Sequence, residues 1–187
     1  MSELKHDEVF ALKRYISLHG GIDSIKAEKI TDSLFRLEAE DPTKDIVMVI
    51  NSIGGYVDSM FCIIDVMNLI RCDVTTVCIG TACSAASVIL LNGTAGKRYI
   101  TPNARVMIHE ISGGSYGKLL EIEDNVQEMK RRQDQVNKMI LSKTKIKEDK
   151  LKEMLQHDYY LSPDDAKKYG VVDKCISSFK ELKMRNW

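Results

Sequence analysis

Two kinds of apolar segment alternate along the first half of this chain, and that alternation restricts the fold more than any other property of the sequence. Tyr15 to Leu18 is a short apolar run ending at the turn residues His19-Gly20-Gly21, and Ser24 to Glu40 then carries Ile25, Ile30, Leu34 and Leu37 at near-helical spacing. Asp41-Pro42 stops the helix, because proline cannot continue it and pushes the preceding residue out of helical backbone. The run DIVMVINS follows, and its unbroken apolar character predicts a strand covered on both faces. The pattern repeats through Gly54-Gly55, a helix over about Val57 to Ile70, a strand Val74 to Ile79 and a small-residue helix over about Ser84 to Leu91. Strands near Arg98 to Ile100 and Arg105 to Ile108 come next. Strand and helix in this order imply βαβ units with right-handed crossovers, hence an α/β fold around a largely parallel sheet.

The second half reads differently. From about Tyr116 to Ser142 a polar helix carries Leu119, Ile122, Val126, Met129, Val136 and Ile140 at three-four spacing, interrupted by Gln133. At 1.5 Å per residue it extends about 40 Å, longer than a domain of this size needs. A narrow apolar stripe on a protruding helix seeks a partner helix, while a surface helix lying along its own domain is the plainer alternative. A short helix over about Lys147 to Leu155, the segment Tyr159-Tyr160-Leu161, a helix opened by Ser162-Pro163-Asp164-Asp165 and a strand Val171 to Ile176 complete the chain. Three prolines and eleven glycines form no linker, so one domain is expected.

Composition excludes several classes. With 27 Lys+Arg against 27 Asp+Glu the formal net charge is zero, which argues against a non-specific nucleic-acid binder. No apolar run approaches the roughly 20 residues that span a bilayer, and the charged N-terminus lacks the apolar core of a secretory signal. No membrane association and a cytoplasmic address follow as expectations. The five cysteines contain no C-x-x-C pair, which fits a reduced compartment and not a structural zinc. Phosphate-loop, dinucleotide and H-E-x-x-H motifs are missing, and the four histidines have no metal-ligand spacing, so no cofactor and no metal are expected.

The chemistry that stands out lies in IGTACSAASVILL, where a strand runs into small residues and then a helix. Ser84 sits at that junction, where the helix dipole and small neighbours suit acyl transfer, although an N-cap serine is the commonest reading of such a residue. Ser87, Cys83 and Thr81 are lower-ranked rivals. His109 ends the run Arg105 to His109 before Ser112-Gly113-Gly114, a position suited to a general base or to a structural histidine. Asp158 could orient the imidazole, but these residues alone do not raise it above Asp164, Asp165 or Asp173. Gly54-Gly55, at the carboxyl end of a strand, offers either an oxyanion-binding backbone or a tight turn.

Taken together, four ordered stretches resemble the proteolytic subunit of the Clp protease, ClpP: INSIGGYVDS, IGTACSAAS, KRYITPNARVMIHEISGG and HDYYLSPDDAKKYGVVDK. The spacings of 25 positions from Ser84 to His109 and 49 from His109 to Asp158 also agree with that family. The resemblance, from about Arg14 to Ile176, implies Ser84 as nucleophile, His109 as general base and Asp158 as the residue orienting it. It implies the backbone N–H groups of Gly55 and Ala85 as the oxyanion hole, and Gly113 and Gly114 along the bound substrate. The implied fold is the ClpP/crotonase-like spiral of ββα units, a single domain over residues 14–187 after a short N-terminal segment 1–13, with a protruding handle helix near 116–142. The implied function is a ring-forming serine endopeptidase cleaving polypeptides through an acyl-enzyme, assembled as two stacked heptameric rings, with an ATP-driven AAA+ unfoldase as partner for protein degradation. Departures from the family pattern bear on that partnership. The segment before Arg14 is short, Val47 and Val49 replace aromatic residues of the docking strand, Ile53 replaces a proline, and His157 replaces an arginine of the ring-to-ring contact. A phage-type maturation protease, a non-hydrolytic ring subunit and a crotonase-type acyl-CoA enzyme are the alternatives.

Overall fold

The computed structural model describes residues 14–184, so the short segment 1–13 lies outside the described residues. Seven strands form one sheet: β1 (Tyr15–Ile22), β2 (Ile46–Gly55), β3 (Val74–Cys83), β4 (Arg98–Ile100), β5 (Arg105–Ile108), β6 (Tyr159–Leu161) and β7 (Lys174–Cys175). The order β1-β2-β3-β4-β7 is parallel throughout, as the alternation predicts. Helices α1 (Ser24–Glu40), α2 (Val57–Leu69) and α3 (Ala85–Leu91) connect the first four strands. The long helix α4 (Leu119–Lys143) and two short helices, α5 (Glu148–Met154) and α6 (Pro163–Lys168), follow.

One feature of the sheet positions the candidate site residues. Strand β3 pairs with β4 along its first half, Thr76 to Cys78, and with β5 along its second, Thr81 to Cys83. The sheet therefore forks at its carboxyl end, and β5 continues the fork by pairing antiparallel with β6. Main-chain pairing thus draws the end of β3, the end of β5 and the start of β6 into one neighbourhood.

Strand alternation divides the core. Leu18, Met48, Ile50, Val74 and Cys78 join residues of α1 to α3 in the main core, while Val47, Val49, Val77, Tyr99 and Ile176 form a smaller cluster on the opposite face. Leu182 and Met184 of the C-terminal segment pack on that smaller cluster, and the Lys183 backbone N–H donates to the Tyr99 hydroxyl at 2.9 Å. Both faces of β2 are therefore buried, which is why its sequence is apolar without alternation.

Four boundaries differ most from the sequence reading, and the first is β3, which runs past Ile79 to Cys83. Gly20 and Gly21 do not end β1. Gly20, at φ 73°, sits in a bulge between His19 and Gly21, and the strand runs on to Ile22. The final strand shrinks to Lys174–Cys175 because the N–H groups of Val171 and Val172 both donate to the Ala166 carbonyl, closing α6 instead of joining the ladder. The long helix begins at Leu119, not Tyr116, with Glu121 accepting from the Lys118 N–H at 3.1 Å. Among the described residues no helix is long and apolar enough to cross a membrane.

Candidate active site

Strand β3 ends at Cys83 and α3 begins at Ala85, leaving Ser84 alone to turn the chain. It does so at φ 54°, the only non-glycine residue with positive φ among those described. Such a conformation costs of order 1–3 kcal/mol and persists only where the surroundings impose it. Here the Ser84 N–H donates to the Met107 carbonyl at 2.9 Å, and its own carbonyl accepts from the Ser87 N–H at 2.9 Å and the Ser87 hydroxyl at 2.6 Å. Ser84 occupies the N-cap position of α3, but its side chain makes no capping bond, so the hydroxyl is not spent on the helix.

The same contacts dispose of the rivals. Ser87 is buried and its hydroxyl is committed to the Ser84 carbonyl, while Cys83 is buried with its sulfur 3.0 Å from Thr81 Oγ1. The thiol of Cys78, on the same strand, is pushed by burial up to about 12.

Gly54, at φ 94°, closes the other side of the turn. A Cβ there would lie 2.6 Å from the Cys83 carbonyl oxygen, 2.8 Å from Ser84 Cβ and 3.0 Å from the Ala85 nitrogen. Only glycine lets the end of β2 rest against the Ser84 turn. A Cβ at Gly55 would run into the Ile22 carbonyl, so its glycine is demanded by the pairing of β1 with β2. Gly55 and Ala85 consequently line one cleft with Ser84.

His109 follows β5 and Asp158 precedes β6. The antiparallel pairing of Ile108 with Tyr159 sets the two side by side, with His109 Nδ1 at 3.0 Å from Asp158 Oδ1. With Nδ1–H donating to the carboxylate, Nε2 is left as the acceptor. Two of the three competing acids are engaged elsewhere: Asp173 grips Arg98 with both oxygens, and Asp165 accepts from the Ser162 hydroxyl. His109 and Ser84 face the same cleft, and no hydrogen bond joins them among the described residues. Catalytic hydrogen bonds commonly close only around bound substrate.

The cleft encloses about 520 Å³, and Gly113 and Gly114 line it. Its apolar lining comes from Met60, Val88, Ile108, Met129, Val136 and Ile140. Two polar residues of α4 hold its walls, and sequence reasoning assigned neither a role. Gln133 Oε1 accepts from the Ile111 N–H at 2.7 Å, and its amide donates to Asn137, tying the loop that follows His109 to the helix. Arg132 lies 3.0 Å from Asp58 of α2 and 3.0 Å from Glu128, spanning the cleft mouth beneath the Phe61 ring. The signal for Gln133 was its interruption of an otherwise apolar stripe. Among the described residues no cluster of His, Cys, Asp and Glu is arranged to hold a metal ion.

A strained serine at a strand-to-helix turn, an imidazole ordered by a carboxylate and a cleft floored by glycine backbone suit hydrolysis of an acyl compound such as a peptide. A family model of the Clp protease matches residues 3–179 of this chain. Read with the parallel α/β spiral, that match over nearly the whole sequence identifies the chain as a member of the Clp protease family, a family of peptidases.

Proposed function

We propose that the chain is a serine endopeptidase in which Ser84 Oγ attacks the scissile carbonyl while His109 Nε2 takes its proton. Asp158 holds the imidazole in the required tautomer and stabilises its protonated form. The N–H groups of Gly55 and Ala85 receive the developing oxyanion. The amine leaves with the proton from His109, and water then hydrolyses the acyl-enzyme with the same imidazole as base. Substrate backbone runs along Gly113 and Gly114, and an apolar side chain fills the end of the cleft between Met60 and Met129.

The observation that carries this reading is the positive φ of Ser84, which turns an uncapped hydroxyl into a cleft shared with His109. Replacing Ser84 by Ala is expected to lower peptide hydrolysis by on the order of 10⁵–10⁶ and to abolish labelling by a fluorophosphonate. Hydrolysis surviving that change at the wild-type rate overturns the mechanism.

We further propose assembly into two stacked seven-membered rings through the exposed part of α4, with peptide cleavage independent of ATP and protein degradation served by an AAA+ unfoldase. A phage-type maturation protease is the second reading. It draws support from the smaller sheet cluster, where Val47 and Val49 are buried and Leu182 and Met184 pack against the cluster, leaving little open apolar surface there for a docking loop. Strong stimulation of protein degradation by a Clp ATPase decides for the first reading, and none for the second.

A further inference from the structure

Nine methionines occur in this chain, and the setting of each sulfur decides which of them an oxidant can reach. Met48, Met60, Met67, Met107 and Met154 are buried. Three others are partly exposed among the described residues: Met129, Met139 and Met184. The Met139 sulfur lies 3.8 Å from the Asn92 amide nitrogen, and the Met184 sulfur accepts from the Thr75 hydroxyl at 3.4 Å. Among the described residues no hydrogen bond reaches the sulfur of Met129, and Met129 alone of the three lines the active-site cleft.

The neighbourhood of that sulfur is tight and poor in free donors. A Cβ on Gly113 would lie 3.0 Å from Met129 Cε and 3.6 Å from Sδ, so the thioether rests against the glycine backbone that follows His109. Met60, Val136 and Ile140 belong to the same lining. The polar side chains that follow on α4 are spent, Arg132 on Asp58, Glu128 and Gln135, and Gln133 on Ile111 and Asn137. An oxygen added to the sulfur therefore meets apolar side chains or the backbone of the glycine segment.

We propose that Met129 is a reversible oxidation site that closes the cleft to substrate, with hydrogen peroxide as the oxidant. A sulfur lone pair attacks one peroxide oxygen, the S–O bond forms as the O–O bond breaks, and the proton of the transferred oxygen leaves with the departing hydroxide as water. The sulfur is oxidised to the sulfoxide and the peroxide is reduced. A pliable apolar side chain becomes a bulkier polar one. Its oxygen either goes unpaired among apolar groups, which is costly, or competes with a bound peptide for the N–H groups of the glycine segment. A sulfoxide reductase, with a thiol as electron donor, reverses the step. The loss of hydrolysis rests on the peptidase reading above, whereas the preference of the oxidant for Met129 does not.

The test treats the full chain with hydrogen peroxide and follows two readouts together: methionine sulfoxide at each position by peptide mapping, and hydrolysis of a short peptide with an apolar residue at the cleavage site. Met129 should be oxidised ahead of the other described methionines. In step with it kcat/KM should fall about tenfold or more, most of it through a rise in KM. Sulfoxide reductases acting on both epimers should restore hydrolysis, and dithiothreitol alone should not, which separates this site from the cysteines. Met129→Leu, measured against its own untreated rate, should lose less than about twofold, because the volume is kept and the sulfur is gone. The control Met139→Leu/Met184→Leu should lose as much as the parent. Equal loss in Met129→Leu, recovery with dithiothreitol alone, full oxidation of Met129 without loss, or oxidation elsewhere ahead of Met129 overturns the proposal. In a chain that hydrolyses nothing before treatment the peptidase reading alone fails, because the mapping and a fluorescence-anisotropy titration of the same peptide still read oxidation and cleft closure.

Discussion

The two halves of α4 carry the same apolar repeat and meet opposite fates. Toward the C-terminus Val136 and Ile140 are buried against the domain, and toward the N-terminus Leu119 and Leu120 are 71% and 72% exposed. Between them Met129 and Arg132 face the cleft, and Gln133 holds Ile111 of its lining. A three-four repeat specifies which side of a helix is apolar, and burial of that side then depends on whether another surface stands opposite. For the C-terminal half α3 provides one. Among the described residues none stands opposite the N-terminal half, so the reading of a surface helix lying along its own domain describes only the C-terminal part.

Truncation at the docked end should have the largest effect on stability. Ile140→Ala removes a side chain only 1% exposed and is expected to cost ~2–5 kcal/mol, measured as a shift in denaturant midpoint at unchanged slope. A smaller loss would mean that α4 is anchored mainly by its polar contacts. Next comes the middle of the helix. Gln133→Leu strands the Ile111 N–H and should cost about 1–2 kcal/mol while lowering kcat/KM for a short peptide about tenfold, because the loop after His109 loses its tether. Gln133→Glu keeps the acceptor and should restore most of that activity, an outcome that a simple packing role for Gln133 does not predict. At the free end, Leu119→Ser with Val126→Ser should change protomer stability by no more than about 0.5 kcal/mol. In the proposed ring assembly the same pair should shift sedimentation toward smaller species, and an unchanged oligomer would remove this half of α4 from the interface.

Much of the architecture was legible because short-range rules are strong in this chain. Asp41-Pro42 marks the end of α1 to the residue, and Ser162 caps α6 with its side chain accepting from the Asp165 N–H. Where the reading failed, a competing backbone partner, near or far in the chain, had taken over a group. The Ala166 carbonyl diverted the N–H groups of Val171 and Val172 from the sheet, and pairing with β2 carried β1 through two glycines that look like a turn. At the candidate site the ranking of residues changed for the same reason. Asp158 equalled three other aspartates as a sequence letter, and it is set apart by β5 pairing with β6, while Arg98 and Ser162 occupy two of its competitors.

The sequence by itself determined the alternation of strands and helices, the family resemblance carried by four ordered motifs, and the types of residue available for acyl transfer. These depend on spacing and on side-chain chemistry, both of which are written in the order of residues. Only the tertiary structure decided that the Ser84 hydroxyl makes no capping bond to the helix it precedes, that Gln133 and Arg132 hold the cleft walls, and that Met129 of α4 rests against Gly113. Each of these depends on segments distant in the chain meeting in space, where backbone pairing and burial select one geometry from several that the local sequence allows.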